Sequence, residues 1–204
     1  EAFNSRSKDF DLGTVGAGAG ALAAMQKGGL GSVSLKLENG YTVGALVVVN
    51  PFGSVTTSGG KHFWAAPFEF ENEFGGVGID SSPDLFDLKH SPKNKAMKVH
   101  SDQISNTTIA IVATDAPLSK TQCYRMAVAA HDGMVRAIVP SHTLHDGDLV
   151  FALSTKKGEI DHETFRDIGV ASAVCLSRAI ARGVYEATTD EDDILPTYKK
   201  TNSI

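Results

Sequence analysis

Cysteine is scarce in this chain of 204 residues: there are two, Cys123 and Cys175, both in helix-like stretches and neither at metal-ligand spacing. That excludes a disulfide framework, and both thiols are expected as reduced core residues of a cytoplasmic protein. Basic clusters are scarcer still. None exceeds the pairs Lys156-Lys157 and Lys199-Lys200, and the formal net charge is −5, which argues against a nucleic-acid surface. No apolar run reaches the ~18 residues that read as a membrane span, and residues 1–4 do not look like a signal peptide. Asn106-Thr107-Thr108 matches a glycosylation sequon only formally. Internal repeats are missing, as is an initiator Met, so the chain reads as a portion of a longer precursor. What is present is ordinary for a globular domain with a real core: 42% hydrophobic and 21% charged residues.

Residues 107–112 read as a buried strand, β-branched and apolar, ending at the turn signal Asp115-Ala116-Pro117. A long polar, Gly-marked tract precedes them. The plain reading is that Thr107 starts a strand. The chemical reading is that a hydroxyl at a loop-to-strand junction attacks the carbonyl before it, and water then hydrolyses the ester. The freed α-amine, titrating near ~8, can serve as base for its own hydroxyl.

Earlier in the chain, Gly13 to Ala21 satisfies a loose G-x-G-x-x-A pattern, but no apolar strand precedes it and Gly28-Gly29 soon follows. A nucleotide site is therefore not expected; the glycines let backbone approach packed neighbours or a substrate. Lys27, just before Gly28-Gly29, reads locally as a solvated lysine. Residues 32–38 alternate, Asn39-Gly40 is a hairpin turn, and residues 41–50 form a return strand, apolar on both faces and hence central. Asn50 ends that strand before Pro51; locally it caps a turn. Residues 52–106 are too long for a simple loop. Their aromatics Phe63, Trp64, Phe68, Phe70 and Phe74 are candidates to cover a site or a subunit contact, and residues 80–105 look mobile.

Ser119 and Gln122 form a capping box opening a helix to about Val139, with Met126, Ala127, Ala130, Met134 and Ile138 as a core stripe and Pro140 as the stop. His131 on it reads as structural. His142 to Asp148 holds two histidines and two aspartates, all from one short loop, so a tight Asp-Gly-Asp turn is expected rather than a metal. A strand over 149–154 follows. Asp161 caps a helix to about Ala187 whose small residues allow close packing. The acidic tail ends in an apolar segment, 194–198, that docks on the body or on a neighbour.

Residues 106–116, the stretch Val47-Val48-Val49-Asn50-Pro51, His131-Asp132-Gly133, and His142-Thr143 through Asp146-Gly147-Asp148 resemble, in order, the DmpA-type aminopeptidase and nylon-oligomer hydrolase family of self-cleaving N-terminal-nucleophile enzymes. The resemblance implies a layered α-β-β-α sandwich of the type shared with ornithine acetyltransferase. It also implies self-cleavage at Asn106–Thr107 into residues 1–106, lacking the family's long N-terminal region, and residues 107–204, together one domain. Thr107 would be nucleophile and base, Asn50 the oxyanion donor, and Lys27, Asp146 and Asp148 the network around them; Asp146 lies 39 residues after Thr107, in keeping with the family pattern. The activity implied is amide hydrolysis of peptides or ω-amino-acid oligomers through an acyl-enzyme, without cofactor or metal, by associated fragments in a homo-oligomer, with neither nucleic acid nor membrane as partner. The alternatives are an acyltransferase of the ornithine-acetyltransferase type and a scaffold that never cleaves.

Overall fold

The computed structural model describes residues 7, 9–83, 91–99 and 106–204. Among them, four strands form one sheet in chain order: β1 (Gly29–Lys36), β2 (Thr42–Asn50), β3 (Thr107–Pro117) and β4 (Leu149–Lys156). The first two pairings are antiparallel and β3–β4 is parallel. The hairpin between β1 and β2 forms where Asn39-Gly40 places it, with Gly40 at φ 88° and Leu37 N–H bonded to Tyr41 O at 2.8 Å. A left-handed residue is what such a turn demands.

Helices α2 (Lys120–Ala137) and α3 (His162–Tyr185) pack on one another, α3 lying over β1 and β2 and α2 over β4. Both begin at expected caps. Ser119 and Gln122 form the reciprocal box, and Asp161 Oδ1 accepts from Thr164 N–H at 2.9 Å. Helix α2 stops before the expected Val139 because that residue's backbone is bonded both ways to Ser54, at 2.9 and 3.0 Å. Helix α3 is apolar and long enough to cross a bilayer, but its face of Ile168, Leu176, Ile180 and Val184 is fully buried in the core. Burial of each such side chain is worth about 1.5–3 kcal/mol.

Strand β1 starts earlier than alternation suggests, inside the Gly-rich stretch. The reason is packing: a Cβ on Gly31 would lie 1.9 Å from Ala179 O, and one on Gly29 2.3 Å from Gly183 O. Glycine on the strand and small residues on α3 let the helix sit directly on the sheet. Cys175 is buried on the inner side of α3, and burial pushes its thiol up to about 11, while Cys123 is half-buried; both are free.

The sheet's opposite face is apolar and uncovered: Leu46, Ile109, Phe151 and Leu153 are 37–61% exposed. The described residues thus supply one sheet and one helix layer, half of a two-sheet sandwich. Two expectations for the middle of the chain need correction. Phe63 and Phe74 do not cover a site; they are buried against each other and Tyr198 of α4 (Tyr198–Asn202), which docks the tail on the body. And within 80–105, Pro92–Val99 is a helix, α1, with Lys93 buried. Residues 84–90 and 100–105 of that stretch lie outside the described residues.

Candidate active site

The last residue of β2 and the first of β3 face each other: Asn50 is the ladder partner of Thr107. Directly opposed residues of an antiparallel pair bring their Cβ atoms within about 4.5–5.5 Å. The sheet itself therefore joins the candidate amide and the candidate hydroxyl.

The loop before β4 grips three successive residues at this junction. Gly147 N–H donates to the Asn106 carbonyl at 3.2 Å. A Cβ on Gly147 would lie 2.9 Å from Thr107 Oγ1, so only glycine fits without displacing the hydroxyl. Asp148 Oδ1 accepts the Thr108 N–H at 2.7 Å. Thr107 Oγ1 in turn donates to the carbonyl of Asn106, the residue before it. Asn106 is buried and its carbonyl occupies the space in front of the hydroxyl.

Asp146 braces the same loop. Its Oδ2 accepts from Thr143 Oγ1 at 2.6 Å and from Thr143 N–H at 3.2 Å, while Oδ1 accepts from Phe52 N–H at 2.9 Å. The Asp-Gly-Asp turn is thus stitched to the chain just beyond Asn50. The two aspartates are held by backbone N–H groups, joined at Asp146 by the Thr143 hydroxyl and at Asp148 by the His142 ring.

Asn50 has its amide orientation fixed. Oδ1 accepts from Leu22 N–H at 2.9 Å and from Lys93 Nζ at 3.2 Å. Lys93 Nζ also donates to the carbonyls of Leu22 at 2.6 Å, Pro51 at 2.9 Å and Asn50 at 3.3 Å. Burial lowers the Lys93 pKa to about 7, against the opposing pull of Asp146 and Asp148.

Lys27 takes another course. Its backbone is close, since Gly28 abuts the Val49 carbonyl, but its buried ammonium pairs with Asp193 of the acidic tail. The ammonium that reaches Asn50 belongs to Lys93, which sequence reasoning did not single out. The available signal was Ser91-Pro92, a cap followed by proline at the first helical position; Ser91 Oγ does accept from Asn94 N–H at 3.1 Å. Gly147 and His142, bonded to Asp148, were likewise passed over as single residues. Among the described residues, no group of three or more His, Cys, Asp or Glu side chains is arranged to hold a metal.

A site of this construction can be set against known proteins. The model of "Peptidase family S58" matches residues 1–193. The chain belongs to that family. A Mycobacterium leprae protein described as an uncharacterized aminopeptidase is 39% identical over 199 residues, 92% of this chain and 52% of its own. The 6-aminohexanoate-oligomer endohydrolase of a Kocuria species is 30% identical over 162 residues, 76% of this chain and 42% of its own. The chain spans about half the length of the curated relatives it matches. Among solved structures, the PH0078 protein of Pyrococcus horikoshii superposes with a TM-score of 0.62 at 26% identity, over 99% of this chain and 53% of its own. The L-aminopeptidase D-Ala-esterase/amidase of Ochrobactrum anthropi, described as a variant of the Ntn-hydrolase fold, gives 0.66 at 20% identity, over 97% and 52%. The S58 chain therefore has the DmpA-type Ntn-hydrolase fold expected from its motifs.

Proposed function

We propose that the chain is an amide-bond hydrolase that cuts itself between Asn106 and Thr107 and then uses Thr107 as an N-terminal nucleophile. The observation that carries this reading is the Asn106 carbonyl, which takes hydrogen bonds from the Thr107 hydroxyl and the Gly147 N–H together. Attack of Oγ1 on that carbonyl carbon forms a C–O bond, and the Gly147 N–H faces the oxygen on which negative charge develops. The C–N bond to Thr107 then breaks, its nitrogen takes the proton that Oγ1 gave up on attack, and water hydrolyses the ester to leave Asn106 as a carboxylate. The new α-amine of Thr107 accepts the proton of its own hydroxyl in later turnovers.

A substrate carbonyl would then stand where that of Asn106 stood, between the Gly147 N–H and the Asn50 amide. Asp148 holds Thr107 through the next residue's N–H, Asp146 holds the loop, and Lys93 holds Asn50. Lys27 would have to leave Asp193 to act here. Fragments 1–106 and 107–204 would stay together because β2 and β3 are paired from Val43↔Thr114 to Asn50↔Thr107. The relatives' names make peptides with a free amino end and ω-amino-acid oligomers the substrate classes to try first.

Intact mass and N-terminal sequencing of the purified protein test the reading. A fragment starting Thr107-Thr108-Ile109 is expected, and Thr107→Ala should leave the chain whole and abolish turnover. An uncut chain that hydrolyses amides would refute it.

A further inference from the structure

The Asp148 side chain is 1% exposed, so its contact with solvent runs through the groups that touch it. His142 touches it twice on one oxygen: its backbone N–H and its ring Nδ1 each lie 3.2 Å from Oδ2. This double grip comes with a left-handed backbone at His142, φ 54°, a conformation that non-glycine residues rarely adopt and that persists where surroundings enforce it. Behind His142 stands His131 of α2. The rings meet edge to face with centroids 4.9 Å apart, and His131 Nδ1 lies 3.1 Å from His142 Nε2.

We propose that His142, backed by His131, is the positioning residue for Asp148. The inference rests on the reading of Thr107 as nucleophile, because Asp148 matters through its hold on the Thr108 N–H.

The backbone N–H of His142 donates to Oδ2 and its ring Nδ1 stands beside the same oxygen, while His131 Nδ1 lies within hydrogen-bond distance of His142 Nε2. The far ring thus limits how the near one can turn, and with it the place of the carboxylate that holds the Thr108 N–H.

Burial and then the charge on His142 hold the His131 pKa down, against Asp148 and the neighbouring Asp132 on α2.

The test uses the purified protein with an aminoacyl p-nitroanilide. His142→Phe removes the ring donor at similar volume and should lower kcat about tenfold or more, the loss of one charge-assisted bond, with little change in KM. His142→Asn, whose amide N–H stands near the Nδ1 position, should recover part of that loss. His131→Phe removes the partner of His142 Nε2 and should lower kcat by a smaller factor than His142→Phe, again with little change in KM. A His142→Phe enzyme with the kcat of the parent overturns the proposal and leaves Thr107 untouched, whereas a parent that neither cleaves nor turns over refutes the Thr107 reading itself. Independently of activity, nitrogen NMR of Thr107→Ala protein should find His142 protonated at Nδ1 and perturbed by His131→Phe. An unprotonated Nδ1 there overturns the proposal as well.

Discussion

Replacing Lys93 by Met tests the site's least expected member through stability rather than turnover. Lys93 is 1% exposed and its pKa falls from 10.5 to about 7, burial being the main cause. Between those two values the unfolded chain binds more protons than the folded one, so stability must rise with pH. For one such group the gain from pH 7 to pH 9 is about 2 kcal/mol, most of the range over which the folded lysine is neutral and the unfolded one still charged. With a urea slope of about 2 kcal/mol/M, this moves the midpoint by about 1 M. Thr107→Ala protein keeps the chain whole, and urea unfolding at pH 7, 8 and 9 would compare it with the Thr107→Ala, Lys93→Met double variant. Cys175 and Tyr198, which burial pushes up to about 11 and about 12, act oppositely as pH rises, but equally in both proteins. The midpoint of the lysine protein should climb relative to that of the methionine protein. Parallel curves would show that burial does not lower the Lys93 pKa, and the account of a desolvated lysine nitrogen beside Asn50 would fall with it.

Gly147→Ala should slow self-cleavage at least tenfold, since its Cβ would crowd Oγ1 while the N–H remains; the rate of appearance of the 107–204 fragment measures this. Thr108→Val should stabilise the fold by about 1 kcal/mol, because Thr108 is fully buried and its Oγ1 has no partner among the described residues; a denaturant midpoint at or below the parent's counts against that. Lys27→Met and Asp193→Asn should each destabilise, with a double-mutant coupling above about 0.5 kcal/mol if the buried pair ties down the tail. Loss of turnover in Lys27→Met without loss of stability would instead place that ammonium at the nucleophile.

What the sequence made legible is what short-range chemistry decides. Asn39-Gly40, the Ser119–Gln122 box and the Asp161 cap act within a few residues of themselves, and each appears where the pattern puts it. Strand β3 is readable because alternate residues from Thr108 to Ala116 are buried and β-branched or small. Long-range contacts were not readable. Nothing local distinguishes Lys93 from Lys95, yet one is buried against three carbonyls and the other is exposed. The same holds for Lys27: its position reads as a solvated lysine and the family resemblance implied a place in the site, whereas Asp193, far along the chain, takes its ammonium. His131 looks like a helix-surface histidine until the loop after Pro140 brings His142 to it.

The placement of the proposed cut has a physical logic that ties these pieces together. Thr107 is the first residue of β3 in the ladder, and Asn106 lies just outside it. Every bond that positions Thr107 from the C-terminal side survives scission: pairing with β2 and β4, and the Thr108 N–H on Asp148. The interactions that scission releases are those made to the Asn106 carbonyl, by Gly147 and by the hydroxyl itself. These are the ones an incoming amide carbonyl can remake. A junction one residue later would break the ladder and free the nucleophile to move; one residue earlier would leave its amine blocked. Rigid support on one side of the bond and replaceable contacts on the other are what let a chain serve as its own first substrate and remain organised for the next.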